Sequence, residues 1–292
     1  MNTRIFGMTT SASSMYYTSR ALDSFFSNTA FTEYDEFYLI DNDNVYDQPV
    51  DDRVTIIRNL SPLSFSHNVN RLIGIAKKAD SDLIFLSNDI ILTPEWLPPL
   101  ESINDAIVIP SCNQTHQYFT PLVQLASLID WGNYNHNHEE LCNIVNHHKQ
   151  TITGYFDLLL MPFYAFRLPR NIYNIVGLLD TGYVNGGEDV DYRLRALLAG
   201  FDVKYAAASY IIHFNGKSTW RSQEDQAQID DRNKKYRARF KEKWGDDLLN
   251  LMILGGDPDS VLVKYELMNF NYLTDSFNVL IKEVESKCHN EF

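Results

Sequence analysis

Short apolar segments alternate with amphipathic segments over the first 110 residues, and this alternation restricts the folds open to the chain. The apolar runs, rich in β-branched and aromatic residues, are RIFGM at 4–8, EFYLID at 36–41, VTIIR at 54–58, DLIFLS at 82–87 and AIVIP at 106–110. Such runs are typical of buried strands in a parallel sheet. Residues 14–27 and 66–79, which lie between them, have the spacing of amphipathic helices. This order predicts an α/β sheet with crossover helices.

Polar and acidic residues follow two of these predicted strands. The second strand leads into Asp41 and Asn42, and the fourth leads into Ser87, Asn88 and Asp89. Ligand sites in open α/β sheets lie at the carboxyl ends of the strands, so these residues are candidates for a ligand site. Asp and Asn are also common loop residues, and the turn after Asp41 on its own leaves that alternative open.

The length and charge of the chain exclude some functions. With 292 residues, of which 45% are hydrophobic, it can bury a large core and form one large domain or one domain with an appendage. Its net charge of −13 argues against a nucleic-acid partner, because nucleic-acid binding depends on clustered Lys and Arg. A ligand that carries phosphate would need a cation supplied locally.

The chain shows no signal for secretion or membrane insertion. Its first residues lack the apolar segment of a signal peptide, and no apolar run approaches the roughly 18 residues that span a bilayer. Three separated cysteines without a CxxC pair favour a reducing compartment. We therefore expect a soluble cytoplasmic protein without a transmembrane segment.

An Asn- and His-rich segment covers residues 111–150. His138 and Cys142 stand four residues apart, which one face of a helix could present to zinc, but the segment has no paired CxxC or HExxH motif. We expect a solvated insertion that faces an acceptor, in preference to a structural metal site.

Three acidic residues crowd the start of a predicted helix in VNGGEDVDYRLRALLAGF at 184–201. Acidic side chains in a first turn stabilise the helix dipole, and Asp191 with Arg195 has the spacing of a surface ion pair. These roles account less well for Glu188 and Asp189, because the two preceding glycines allow close approach of a ligand or of another part of the chain. A catalytic carboxylate is the alternative.

A histidine ends the last of the predicted strands, which are 157–166, VKYA at 203–206 and YIIH at 210–213. The strand-end carboxylate of Asp89 and the strand-end imidazole of His213 are ligand types that divalent cations take in proteins. Lys217 and Arg221, in the FNGKSTWR that follows, would add positive charge beside a diphosphate. The chain could therefore meet the charge requirement of a phosphate-bearing ligand.

Taken together, these motifs resemble the family 2 glycosyltransferases with the GT-A fold, notably their rhamnosyltransferase-like members, from about residue 4 to residue 245. LIDNDN resembles the nucleotide-contacting turn of that family, and SHNVNRLIGIAKKADSDLIFLSNDIILTPEWL resembles its helix, strand and metal motif. VGLLDTGYVNGGEDVDYRLRALLAGFDV resembles the run into its ED motif, IIHFNGKST its terminal His motif, and RFKEKWG a Lys-Trp-Gly that often follows. One departure is Ser87, which stands where the first acid of the family's DxD motif falls.

The resemblance implies roles for individual residues. Asp41 would contact the base or ribose of a nucleotide, and Asp89 with His213 would bind Mn²⁺ or Mg²⁺. Asp189 would be the general base, with Glu188 beside it shaping the acceptor site. The remaining residues assigned to the nucleotide-sugar site are Thr9, Asn42, Asn70, Asn88 and Lys217.

The resemblance also implies an α/β GT-A domain at 1–222, with a mixed, mostly parallel sheet flanked by helices. It further implies a helical C-terminal extension at 223–292, which is a candidate for homo-oligomer contacts. The expected reaction transfers a hexose or deoxyhexose from a nucleotide diphosphate sugar to a hydroxyl of a glycan or other acceptor, with inversion. Ser87 leaves a nucleotide-sugar-binding pseudoenzyme open as an alternative. A nucleotidyltransferase is a further alternative, although the residues after the first predicted strand do not form the Gly-rich basic loop that is usual in that class.

Overall fold

A computed structural model shows strands and helices in the predicted order. It describes residues 3–113, 143, 145–147, 150, 153–158, 161–214, 224–254 and 282. The strands are β1 (Arg4–Thr10), β2 (Asp35–Asp41), β3 (Val54–Arg58), β4 (Asp82–Leu86), β5 (Ile90–Leu92), β6 (Ala106–Cys112), β7 (Tyr155–Asp157), β8 (Ala165–Leu168) and β9 (Asp202–His213). The helices are α1 (Met15–Asn28), α2 (Phe65–Lys78), α3 (Pro98–Glu101), α4 (Arg170–Val176), α5 (Glu188–Leu198) and α6 (Gln226–Met252).

The first half of the sheet is parallel, as the apolar runs predict. Strands β3, β2, β1 and β4 lie side by side in that order, and each neighbouring pair is parallel. The register pairs Thr10 with Asp41 and Met8 with Leu86. The carboxyl ends of β1, β2 and β4 therefore lie at the same edge of the sheet, which is where the sequence places its acidic and amide side chains.

The second half of the sheet mixes strand directions, so the predicted mixed α/β sheet is confirmed. β8 pairs antiparallel with β4 and with β6, and β6 pairs parallel with β9. The strand predicted at 157–166 is replaced by the separate strands β7 and β8, and the two short strands predicted within 203–213 form one long strand, β9. β9 stays continuous through a register shift next to Pro110, where the Ser111 hydroxyl donates to the carbonyl oxygens of Ala207 and Ser209.

Helix α2 packs its apolar stripe on the parallel strands. Val69, Leu72, Ile73 and Ala76 are all buried, as the helical spacing predicts. A Cβ atom added to Gly7 of β1 would lie 2.5 Å from Leu72 Cδ1. The glycine thus lets α2 approach the sheet closely, with its first turn at the carboxyl edge.

Helix α6 packs against α5 through a second apolar cluster, apart from the main core. The buried members of this cluster are Tyr183, Val190, Leu194, Phe240, Leu248, Leu249 and Met252. Within α6 the chain kinks at Gly245, whose φ of 84° and ψ of 174° are open to little but glycine. Among the described residues, none of the helices has both the length and the apolar character to cross a membrane.

Candidate active site

The carboxyl ends of β1 and β2 form one side of the candidate site. Thr9 is half-buried and lies opposite Ile40 in the sheet register. The next residue, Thr10, accepts a 3.0 Å hydrogen bond from the backbone N–H of Asn42, and its hydroxyl lies 2.6 Å from that of Thr18. The first bond holds the turn after β2 against the end of β1, and the second holds helix α1 there.

Asp41 is fully buried and organises the turn that follows it. Its Oδ1 accepts the N–H of Val45 at 3.2 Å, and its Oδ2 accepts the N–H of Tyr46 at 2.9 Å. The guanidinium of Arg58 donates to the same Oδ2 in an ion pair. Both carboxylate oxygens are thus used inside the protein, so Asp41 shapes the turn at the end of β2.

Asn42 connects this turn to the start of α2. Its Oδ1 accepts three hydrogen bonds of 2.9 Å, from the side-chain amides of Asn59 and Asn68 and from the backbone N–H of Leu63. Leu63 lies two residues before α2 begins. The amide of Asn42 is therefore held in one orientation at the carboxyl edge.

Asn88 lies buried between the end of β4 and the start of α1. Its Nδ2 donates to the hydroxyl of Ser14 at 2.8 Å and to the hydroxyl of Thr18 at 2.7 Å. The Oδ1 of Asn88 is buried and makes no hydrogen bond with a described residue. Through Thr18, Asn88 is connected to the Thr10 hydroxyl at the end of β1.

Asp89 and His213, the two predicted cation ligands, lie in contact. Antiparallel pairing of β5 with β9 places Ile90 opposite His213, and the N–H of Phe214 donates to the backbone carbonyl of Asp89 at 2.9 Å. Asp89 Oδ1 lies 3.5 Å from His213 Nε2 and accepts a 2.8 Å hydrogen bond from the Ser87 hydroxyl. Asp89 is fully buried, and His213 is 7% exposed.

The surroundings of His213 favour its protonated form. Burial lowers the pKa of His213, but the negative charge of Asp89 and hydrogen bonds with Asp89 and Cys112 have the larger effect. Together they raise the pKa from its ordinary value of 6.5 to about 9. The imidazole ring also stacks on Tyr164, with ring centroids 5.1 Å apart. A positive charge next to Asp89 is therefore stabilised at this position.

Asn113 was not singled out from the sequence, yet it holds His213 in place. Its Oδ1 accepts the backbone N–H of His213 at 2.7 Å, and its side chain is buried. Its Nδ2 makes no hydrogen bond with a described residue. The one sequence signal for Asn113 is its position three residues after the end of the strand predicted at 106–110.

The Asp89–His213 pair fits two ligands of one divalent cation. Adjacent ligands of an octahedral cation bound at about 2.1 Å lie about 3 Å apart, close to the observed 3.5 Å. Carboxylate oxygen and imidazole nitrogen are both ligands of divalent transition-metal cations in proteins. Within the described ranges no group of three or more His, Cys, Asp or Glu side chains is assembled as a metal site, so the described residues supply two ligands.

Glu188 and Asp189 open helix α5, as the sequence predicts. The preceding Gly187 has a left-handed φ of 84°, which turns the chain into the helix. Glu188 is buried, and its Oε2 accepts the N–H of Gly186 at 2.5 Å. Asp189 is half-buried, and its Oδ1 accepts the N–H of Val190 at 2.8 Å. Of the two acids, Asp189 is the more accessible to a substrate.

Asp191 is buried, so its interpretation as a surface residue was wrong. The expected pair with Arg195 is present, with 2.9 Å between Arg195 Nε and Asp191 Oδ2. However, Asp191 is fully buried, because Lys243 Nζ and Trp244 Nε1 lie 2.6 Å and 2.9 Å from its Oδ1. The Lys-Trp of the RFKEKWG motif thus meets the third acid of the VNGGEDVD motif.

The segment that precedes α5 is tied to helix α2. The Asn70 amide makes two hydrogen bonds with the backbone of Leu179, donating to its carbonyl at 2.9 Å and accepting from its N–H at 2.8 Å. Asn185 Oδ1 accepts the N–H of Phe65 at 3.1 Å. Because Leu63 is bonded to Asn42, the start of α2 contacts both the turn after β2 and the segment leading to the acids.

Several residues singled out from the sequence lie outside the described residues. They are Lys217, Arg221, His138 and Cys142. Of the Asn- and His-rich stretch 111–150, the structure describes residues 111–113, 143, 145–147 and 150.

Comparison with solved structures identifies the fold as the GT-A type found in glycosyltransferases. GalNAc-T7, solved with UDP, GalNAc and Mn²⁺, superposes with a TM-score of 0.58 at 15% identity, over 98% of this chain and 55% of that one. This chain thus spans about half the length of GalNAc-T7. The mannosyltransferase PcManGT from Pyrobaculum calidifontis, solved with GDP-Man and Mn²⁺, gives a TM-score of 0.49 at 9% identity, over 97% and 75% of the two chains. No protein-family model and no curated protein sequence matches the chain.

Proposed function

We propose that this protein transfers a sugar from a nucleotide diphosphate sugar to a hydroxyl group of a glycan or other acceptor. The observation that carries the proposal is the buried Asp89–His213 pair at the carboxyl edge of a GT-A sheet. The fold offers this edge to a ligand, and the pair offers a carboxylate and an imidazole to a cation. The acidic residues at the start of α5 would supply the proton acceptor that the transfer reaction needs.

In this proposal Asp89 and His213 hold Mn²⁺ or Mg²⁺. His213 would hold the cation through Nε2 in its neutral form, and the positive charge that the site stabilises beside Asp89 would then be that of the cation. The bound cation supplies charge that stabilises the departing diphosphate. Ser87 keeps Asp89 oriented through its hydroxyl, and Lys217 or Arg221 adds further positive charge.

Asp189 acts as the general base of an inverting, single-displacement reaction. The acceptor oxygen forms a bond to the anomeric carbon, the bond from that carbon to the diphosphate oxygen breaks, and the electron pair leaves with the nucleoside diphosphate. The proton of the acceptor hydroxyl passes to the carboxylate of Asp189. Glu188, bonded to the backbone of Gly186, fixes the turn and shapes the acceptor side.

The nucleotide lies along the carboxyl ends of β1, β2 and β4 in this proposal. Thr9, Asn42 and Asn88 line that edge, and Asp41 contributes by ordering the turn through its bonds to Val45 and Tyr46. Asn70 contributes from α2 by holding Leu179, which lies on the segment leading to the acids. We expect the base or ribose to contact the turn after β2.

We further propose that the chain groups with the rhamnosyltransferase-like members of family 2, and that 1–222 is the catalytic domain. This grouping is supported by the ED motif, the downstream histidine and the Lys-Trp that binds Asp191. The extension at 223–292 is proposed to contribute homo-oligomer contacts, and the 111–150 segment to face the acceptor.

A thermal-shift panel with UDP, GDP, dTDP and CDP, each with and without Mn²⁺, tests the proposal. We expect one nucleoside diphosphate to raise the melting temperature more in Mn²⁺ than without it, because ligands that bind the native state stabilise it. Incubation with the matching nucleotide sugar is expected to release the nucleoside diphosphate. No Mn²⁺-dependent shift with any of the four nucleotides would contradict the proposal.

A second candidate is a protein that binds a nucleotide sugar without turning it over. Ser87, in place of an acid, favours it, because the hydroxyl gives Asp89 a hydrogen bond but no additional charge for a cation. The two functions differ in the fate of the donor. Even slow release of nucleoside diphosphate, lost in Asp189→Asn, supports the transferase and excludes the binding protein.

A further inference from the structure

The two acids proposed for catalysis lie within a segment whose two ends meet the same ammonium group. We call residues 180–191 the acid loop, which comprises the segment before α5 and the first turn of α5. It begins with Asp180, contains Glu188 and Asp189, and ends with Asp191. The Nζ atom of Lys243 lies 3.0 Å from Asp180 Oδ2 and 2.6 Å from Asp191 Oδ1. One cation on α6 therefore bridges the first and last residues of the acid loop.

Both ends of this bridge are removed from solvent. The side chains of Asp191 and Asp180 are 0% and 17% exposed, and that of Lys243 is 28% exposed. Ion pairs in such surroundings are screened less than pairs in water, and removal of one partner leaves a buried charge without compensation. The bridge is thus unlike the solvent-exposed pairs elsewhere on α6.

The backbone between the two ends packs directly on α6 as well. A Cβ atom added to Gly186 would lie 2.7 Å from Tyr236 Cδ1, and one added to Gly187 would lie 3.2 Å from the rings of Tyr183 and Tyr236. Arg232 of α6 donates to the backbone carbonyl of Asn185 at 3.4 Å. The glycines that precede the acids are therefore needed for contact with α6, in addition to any approach of a ligand.

We infer that Lys243 is a positioning residue, which bridges the two ends of the acid loop and thereby fixes the carboxylate of Asp189. The catalytic consequence rests on the proposed function, while the bridge itself rests on the contacts of Lys243. Closing the ends of a twelve-residue segment removes many of its conformations. A displacement of about 1 Å in a reacting group can lower a rate by about 10²-fold, so a loosened loop lowers transfer without removing any group that touches the substrate.

The test compares Lys243→Met, Lys243→Arg and the control Lys241→Met. Lys241 lies on the same helix and pairs with Asp246 at 2.8 Å, with both side chains more than half exposed. The first measurement is the ratio of the sugar-transfer rate to the concentration of nucleotide-binding sites counted by calorimetry, which does not depend on the fraction of folded enzyme. We expect Lys243→Met to lower this ratio about 10- to 100-fold, Lys243→Arg to recover most of it, and Lys241→Met to leave it unchanged.

The second measurement is hydrogen–deuterium exchange of the backbone amides of residues 181–190. We expect faster exchange in Lys243→Met than in the wild type, and no change in Lys241→Met. An unchanged ratio together with unchanged exchange in Lys243→Met overturns the inference. A ratio that falls equally in Lys243→Met and Lys241→Met overturns it too, because the exposed lysine has no bridge to lose.

Asp180→Asn provides a second variant in case Lys243→Met does not fold. It removes the charge at the outer end of the bridge, where the carboxylate is less buried, and keeps a side chain of the same size. We expect a smaller fall in the ratio and faster exchange in the same amides; normal values of both overturn the inference. If the wild type itself transfers no sugar, the proposed function fails, and the exchange measurements alone decide whether Lys243 fixes the loop.

Discussion

The two sides of the candidate site are held in place by contacts of different range. At the sheet edge, Asp41 binds backbone groups four and five residues further along the chain. In the acid loop, Asp191 binds Trp244, which lies 53 residues further along the chain. Asp180 binds Lys243, which lies 63 residues further along. The turn after β2 is therefore built largely by local contacts, and the rest of the sheet edge by strand pairing and bonds to the α1 and α2 regions. The acid loop instead depends on helix α6.

This difference separates binding from chemistry in the proposed reaction. Most of the proposed cation and nucleotide groups lie on strands, or on turns next to strands, whose register is fixed by the sheet. The proposed base lies in the first turn of α5, at the end of a segment held by a helix from the C-terminal region. A substitution in α6 should therefore lower the rate of transfer more than the affinity for the nucleotide. Variants of the acid loop should lose transfer, and variants of the sheet edge should lose binding.

The largest effect is expected for Asp189→Asn, which keeps the size of the side chain and removes the proton acceptor. Transfer should fall by about 10²- to 10⁴-fold, the usual contribution of a general base. The affinity for the nucleoside diphosphate should stay within about twofold of the wild-type value, because the sheet edge is unchanged. Initial rates and calorimetry measure the two properties, with Asp231→Asn on the exposed face of α6 as the control. Near-normal turnover would remove Asp189 as the base.

Asp89→Ala, on the sheet-edge side, should weaken nucleotide binding, which Asp189→Asn leaves unchanged. Loss of this carboxylate removes one of the two proposed cation ligands, so the affinity for a nucleoside diphosphate in Mn²⁺ should fall at least about tenfold. Affinity measured without Mn²⁺ should change much less. Calorimetric titrations under both conditions provide the measurement, and an equal affinity for wild type and variant in Mn²⁺ would place the cation elsewhere.

The sheet-edge side of the site was largely predictable from sequence. Buried strands and an amphipathic helix leave periodic apolar patterns, and the stripe of Val69, Leu72 and Ile73 is buried as predicted. The contact between Asp89 and His213 followed from two strand ends, because strands of one sheet bring their ends together. The strands and the helix depend on local patterns that a sequence displays directly, and the contact follows once both strand ends are assigned to one sheet.

The acid loop was predictable only in part, because its contacts are distant in sequence. The four-residue spacing from Asp191 to Arg195 gave the ion pair but could not show that Lys243 and Trp244 bury it. The helical position of Asn70 likewise could not show that its amide binds the backbone of Leu179. Side-chain partners set by tertiary packing leave no periodic signal.

Asp191→Ala should destabilise the fold more than any exposed ion pair of α6 could. Breaking a buried pair costs about 3–5 kcal/mol, because Lys243 and Arg195 lose their shared carboxylate. The matched control is Asp231→Ala, whose pair with Lys235 has side chains 60% and 70% exposed and should cost about 0–1 kcal/mol. Denaturant unfolding measures both values. Equal losses would show that burial does not distinguish the acid loop.

The smallest effect concerns the outer end of the bridge and depends on pH. Burial raises the pKa of Asp180, but hydrogen bonds from the Gly182 N–H, Lys243 and Arg239 lower it to about 2, below its ordinary value of 3.8. A carboxylate whose pKa is lowered by folding stabilises the folded state above about pH 4, and this contribution is lost as the pH falls towards 2. Asp180→Asn should therefore lower the free energy of unfolding by about 1 to 2 kcal/mol at pH 6 and by progressively less from pH 4 to pH 3. A difference between wild type and variant that stays constant over this range would show that the charge of Asp180 does not stabilise the loop, and that packing of its glycines on Tyr236 is sufficient.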